Sequence, residues 1–125
     1  MDRRRVERWI EGYEKAWRTA GTTMLAELFT PDVVYSPSPW ADPVDGLEAV
    51  GEFWERERDG PEEDFSMKAE VVAVEMETAV VRVEVEYRSP PRRWRDLWVV
   101  QFSASGRCAR FEEWPFDSDR PDGHQ

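Results

Sequence analysis

Cysteine and histidine each occur once in the 125 residues, and that scarcity removes whole classes of chemistry. A single cysteine, Cys108, allows no intramolecular disulfide. It has no base close by in sequence to activate it, so it reads as a buried structural thiol. The single histidine, His124, stands near the end of a polar tail and reads as solvated. With no cysteine pair and no clustered acid spacing there is no metal signature, and with no glycine-rich phosphate loop there is none for nucleotides or flavins. We therefore expect no metal and no cofactor. No apolar run reaches transmembrane length, and the basic start, Met1 to Trp9, lacks the apolar stretch of a signal peptide. A cytoplasmic protein with no membrane partner is the expectation. Basic residues are in the minority, 17 against 27 acidic ones, for a net charge of -10. Such a surface repels phosphate backbones. The local inversions, Arg3 to Arg5 and Arg92, Arg93 and Arg95, form no stripe over the domain, so nucleic acid is not an expected partner.

What the chain has in quantity is tryptophan, seven residues of it. Its length implies one domain, residues 1–125, with room for a single core. From Val6 the apolar residues recur at helical spacing through Trp9, Ile10, Tyr13, Ala16, Trp17 and Ala20, with Gly21 as the stop. Thr22 or Thr23 can cap a second helix carrying Leu25, Leu28 and Phe29, ended by Thr30-Pro31-Asp32. Val33-Val34-Tyr35 reads as a short strand leading into a proline-stiffened loop over residues 36–46 whose one large side chain is Trp40. A third helix carries Leu47, Val50, Phe53 and Trp54 on one face and stops near Asp59-Gly60-Pro61.

From Phe65 the period changes to two. Met67 to Val74 and Thr78 to Arg88 pair as strands through Glu75-Met76-Glu77. Trp94 to Phe102 and Arg107 to Phe116 form an aromatic hairpin around Ser103-Ala104-Ser105-Gly106. The tail, about residues 117–125, is expected to be disordered. Helices followed by a run of antiparallel strands mean an α+β fold with the helices on one face of the sheet.

The runs Trp9 to Trp17, Leu28 to Tyr35 and Asp45 to Trp54, with the hairpin from Phe102 through Arg107, resemble in order and spacing the nuclear transport factor 2-like superfamily. Within it the chain is most similar to the SnoaL-like group, which has a cystatin-like fold. The resemblance implies a cone: a curved, mixed but mainly antiparallel sheet wrapped around N-terminal helices, with an interior pocket for a small apolar or aromatic molecule. It also implies a homodimer formed through the outer sheet face, where Leu97 and Val99 point.

Fold membership does not choose an activity, since relatives include isomerases, dehydratases, epoxide hydrolases, cyclases and proteins with no catalysis. Ketosteroid isomerases need a carboxylate base, a tyrosine and a protonated aspartate. Matching the motifs puts Tyr13 at the tyrosine, but Pro37 at the base and Trp98 at the protonated acid. Limonene epoxide hydrolases need an Arg and an Asp two apart, whereas Arg95 and Asp96 are adjacent and face opposite ways. SnoaL-like cyclases use a carboxylate late in the last strand, where this chain has Glu113.

The candidate catalytic residues are therefore Glu113, Asp96 and Tyr13, with Trp17, Trp40, Trp54, Trp98 and Phe111 as ligand-binding candidates. Each has a plain structural alternative: an arginine-bonded acid, a helix-packing aromatic, or, for Trp40, a subunit contact. Strand alternation puts Asp96 and Trp98 on one face. A regular hairpin would turn Glu112 to that face and a bulge near Gly106 would turn Glu113 there. The expected activity is cofactor-independent proton transfer of isomerase, dehydratase or cyclase type, and the alternative is a non-catalytic ligand-binding or dimerisation module.

Overall fold

The computed structural model describes residues 1–58, 64–88 and 90–121. Helix α1, Arg3–Trp17, starts where Asp2 accepts a hydrogen bond from the Arg5 backbone N–H at 2.9 Å, an N-cap that satisfies one of the helix's orphan donors. It buries Val6, Trp9, Ile10, Tyr13 and Ala16, the stripe its periodicity predicts. Ala20 falls outside it.

The second helix is shorter than expected. α2 is one turn, Leu25–Leu28, and no side chain caps it. Phe29 and Thr30-Pro31-Asp32 belong instead to strand β1, Phe29–Ser36. A proline is tolerated there because the pairing of β1 with the last strand is interrupted between Phe29 and Val34, so Pro31 withdraws no ladder donor. The proline-rich loop also contains a two-residue strand, β2, Val44–Asp45, paired antiparallel with Val34 and Tyr35. Helix α3 covers Leu47–Glu57 and buries Val50 and Trp54. The stop expected at residues 59–61 lies outside the described residues.

Three long strands follow: β3, Phe65–Glu75, β4, Thr78–Arg88, and β5, Pro91–Phe102. The last, β6, Cys108–Asp117, takes in Asp117, so ordered structure runs past the point where the tail was expected to begin. Ser118 continues it by donating its backbone N–H to Arg93 O. Residues 122–125, with His124, lie outside the described residues. The sheet order is β2-β1-β6-β5-β4-β3, with only β1 and β6 parallel. It is open at both ends and curved, and bulges contribute to that curvature by bending a strand and adding to its twist. One lies in β3 between Val71 and Ala73.

The helices fill the concave side. Trp9 meets Phe29, Trp98 and Phe102 edge-on at 5.6–6.4 Å between ring centroids, and its indole N–H donates to Leu28 O at 2.9 Å. Edge-to-face aromatic packing of this kind adds about 0.5–1.5 kcal/mol per pair beyond simple burial.

Candidate active site

The hairpin formed by β5 and β6 settles the choice between Glu112 and Glu113. Phe102 pairs with Cys108 but Gln101 pairs with Arg110, so Ala109 is an extra residue in β6. That bulge lies within the strand, three residues after Gly106. Cys108 and Phe111, three apart, both turn inward, and Glu113 comes directly opposite Trp98. Glu112 faces out and accepts the Trp114 indole N–H at 2.6 Å.

Asp96 projects from the same face of β5 as Trp98, two residues along, which makes it the diagonal neighbour of Glu113. The two carboxyl groups interact directly. Burial pushes the Glu113 carboxyl well above its ordinary pKa, and the adjoining Asp96 raises it further. Burial also raises Asp96, opposed by hydrogen bonding from Glu113 and from the Trp98 indole. Like charges at such range cannot both ionise cheaply, so the pair keeps a proton to higher pH than an isolated carboxyl does.

Among the described residues no basic side chain forms an ion pair with either acid. Arg95 points to the outer face and pairs with Glu84 at 3.3 Å. Asp96 is 8% exposed, and its Oδ1 and the Trp98 Nε1 lack a partner at full hydrogen-bonding geometry.

Two tyrosines complete the polar floor. The Tyr13 and Tyr35 hydroxyls are 3.4 Å apart and buried. Burial, then in each case a neighbouring ionisable group, raises both, with Glu113 acting on each, so both are neutral donors at physiological pH. Tyr35 was not singled out from the sequence. The available signal was its position two residues from buried Val33 on one strand, which turns it to the same inner face.

Above this floor a cavity of about 930 Å³ opens, and Tyr13, Trp17, Tyr35, Asp96, Trp98 and Glu113 all line it. Phe53, Phe65, Tyr87 and Trp94 add aromatic wall, and Arg92 stands among the lining residues. Three of the candidate ligand contacts are placed elsewhere. Trp54 and Phe111 are fully buried and do not line the cavity. Trp54 packs edge-on against Tyr13 and Trp17, and Phe111 stacks on Tyr35, so they support the lining side chains. Their helical and strand positions point inward, but the core there is two side chains deep. Trp40 is 98% exposed, on a loop whose Pro37 and Ala41 reach the cavity while Trp40 itself does not. Cys108 is fully buried, with its thiol pushed up to about 12 by burial, which leaves it unreactive. The described residues contain no cluster of three or more metal-ligating side chains.

The SnoaL-like domain profile matches residues 6–111, from within α1 to the part of β6 just past the Ala109 bulge, so Glu113 lies beyond the matched segment. The chain belongs to the SnoaL-like domain family. No curated protein sequence is close enough to this SnoaL-like chain to count as a match. Its fold is similar to that of a candidate polyketide cyclase from Sinorhizobium meliloti, at 23% identity over 84% of this chain and 92% of the other, with a TM-score of 0.64. It is similar too to a ketosteroid isomerase-like protein from Erwinia carotovora atroseptica, at 21% identity over 88% and 92%, TM-score 0.62. A de novo designed protein with a curved β-sheet, 19% identical over 91% and 87%, reaches 0.69. That a designed chain matches this well shows how far the likeness belongs to the curved sheet itself. None of the described helices is long and apolar enough to cross a membrane.

Proposed function

We propose that this SnoaL-like protein binds a small, largely apolar molecule in the cavity and moves a proton on it without a cofactor. The observation that carries this reading is the Asp96–Glu113 pair: two carboxyl groups, without a basic counter-ion among the described residues, facing a cavity walled by aromatics. A merely structural acid pair would be expected to have an arginine or to be absent, because buried charge is costly when unpaired.

In the proposed cycle the Asp96 carboxylate takes a proton from carbon next to a substrate carbonyl. The Glu113 and Tyr13 O–H groups donate hydrogen bonds to the carbonyl oxygen as it gains negative charge. Asp96 then returns the proton to a different carbon, which completes an isomerisation, or the enolate carbon attacks a second carbonyl of the same molecule, whose C=O π bond opens to an alkoxide that takes the proton from Asp96, which makes a cyclase. The pairing lets one carboxyl serve as acid while the other serves as base, because the two do not ionise together cheaply.

The test is hydrogen–deuterium exchange next to the carbonyl in a panel of small aromatic ketones, with and without an amine, followed by NMR in heavy water. Acceleration by the native protein and a loss of about a hundredfold or more in Glu113→Gln and Asp96→Asn are the expected results. Binding without exchange for the whole panel would replace the catalytic reading with that of a holding module.

We also propose that two copies pair through the outer sheet face, as the cross-strand pair Leu97 and Trp114 and the nearby Phe116 are each more than a third exposed there.

A further inference from the structure

We infer that Trp40 is a movable cover for the cavity: its indole swings from solvent across the mouth and packs on an apolar molecule bound there. The inference rests on the reading of this cavity as a ligand site and adds to it a side chain that does not line it in the structure. Trp40 is 98% exposed, more than any other large apolar side chain among the described residues. Tryptophan is seldom left in that state, because the indole carries so much apolar surface. The other two exposed aromatics, Trp114 and Phe116, point from β6 to the outer sheet face. Trp40 stands on the cavity side instead, since Pro37 and Ala41, which flank it on its loop, both line the cavity.

The loop fixes where the side chain is rooted and leaves the ring free. Ser38 O accepts the Ala41 backbone N–H at 3.3 Å, which makes a tight turn with Pro39 and Trp40 at its two corners. Pro37, Pro39 and Pro43 lock their own φ angles. The far end is tied down where Val44 pairs with Tyr35 and the Gly46 N–H donates to Val33 O at 2.7 Å. The backbone is thus carried with β1, whose Tyr35 lines the cavity. Among the described residues no ring contact or hydrogen bond holds the Trp40 indole. Rotation about its side-chain bonds is therefore enough to move it, and an exposed side chain makes such moves quickly.

What the rotated ring meets decides which position is favoured. Water in the mouth gives the indole no apolar partner, whereas a bound aromatic gives it a face to stack on. Small-molecule sites bury most of the surface of what they hold, and a cavity of about 930 Å³ that opens at the surface needs a cover to do so. Closure also serves the proposed chemistry. A ring across the mouth keeps bulk water from Asp96 and Glu113, so a proton taken from the bound molecule goes back to it and not to solvent.

The experiment labels the full chain with fluorotryptophan and follows it by fluorine NMR, the Trp40 signal being the one that Trp40→Phe lacks. The probe is methyl naphthyl ketone. Without the probe, the Trp40 fluorine should show the full shift between light and heavy water that solvent exposure gives. With the probe at saturation it should lose most of that shift. Trp40→Ala should bind the probe about tenfold more weakly, mainly through faster dissociation, and Trp40→Phe about threefold more weakly. Both variants should melt with the native protein, because so exposed a side chain adds little to the fold. Undiminished affinity in Trp40→Ala, or a Trp40 signal that keeps its full solvent shift with probe bound, overturns the cover and leaves the ligand-site reading standing. A Trp40 signal that changes with protein concentration alone, in step with sedimentation, makes Trp40 a subunit contact and overturns the cover as well. Failure of the probe to bind the native protein overturns the cover together with the ligand-site reading.

Discussion

Glu113 holds its proton to higher pH in the folded chain than in the unfolded one, and that difference has a sign. Between the ordinary carboxylate pKa, about 4.3, and the raised one, the folded state binds more protons than the unfolded state. Stability therefore falls as pH rises through that window, and it is fully kept only below it. Replacing Glu113 with Gln removes the titration while leaving an amide that can still donate to Asp96. Thermal melts should show Glu113→Gln more stable than the native protein near pH 7.5, by on the order of 1 kcal/mol or about 4 °C in Tm, with the gap narrowing towards about pH 4. A variant that melts lower at neutral pH would mean that the native acid is favourably paired there. The candidacy of Glu113, Asp96 and Tyr13 was legible from motif spacing and strand alternation. Their electrostatic coupling was not, because it depends on two strands meeting at one register.

At the scale of elements, the joint between α1 and α3 depends on a residue that no motif marks. The Arg58 side chain is 2% exposed and donates from Nη1 to Ala16 O, Trp17 O and Thr19 O at 2.8–3.3 Å, and from Nη2 to Gly21 O at 3.0 Å. It also pairs with Glu55. These carbonyls include the orphan acceptors at the end of α1, so Arg58 does from a distance what a local cap does elsewhere. Arg58→Ala should cost about 2–4 kcal/mol in urea unfolding, since it strands one buried and three part-buried acceptors at once. Arg58→Lys should recover only part of that, because an ammonium lacks the planar fork that reaches this many oxygens. Equal stability of native and Ala proteins would remove the capping role. The Ala109 bulge is a second case. From the sequence, a regular hairpin would turn Glu112 inward and a bulged one Glu113, and only the pairing with β5 chose.

For the molecule as a whole, the outer face of the sheet carries the exposed apolar side chains through which copies would assemble. Leu97 and Trp114 form a cross-strand pair there, bordered by the surface ion pairs Arg82–Glu70 at 2.5 Å and Arg95–Glu84 at 3.3 Å. Sedimentation at tens of micromolar should give twice the 14.7 kDa chain mass, and Leu97→Asp should give the single-chain mass with the melting temperature of the fold little changed. A native monomer under those conditions removes the proposed dimer. The sequence by itself determined the class of fold, the order of the elements apart from β2, the inner faces of α1, α3 and β5, and the absence of any motif for metal or nucleotide. Those are properties of local periodicity and composition, which act between neighbours in the chain. Only the tertiary structure decided that β1 begins at Phe29, that Trp54 and Phe111 support the cavity without lining it, and that Trp40 stands in solvent. It alone set Glu113 beside Asp96. Depth of burial and the meeting of two acids depend on how a curved, bulged sheet closes over its helices, and no spacing within a single strand encodes that closure.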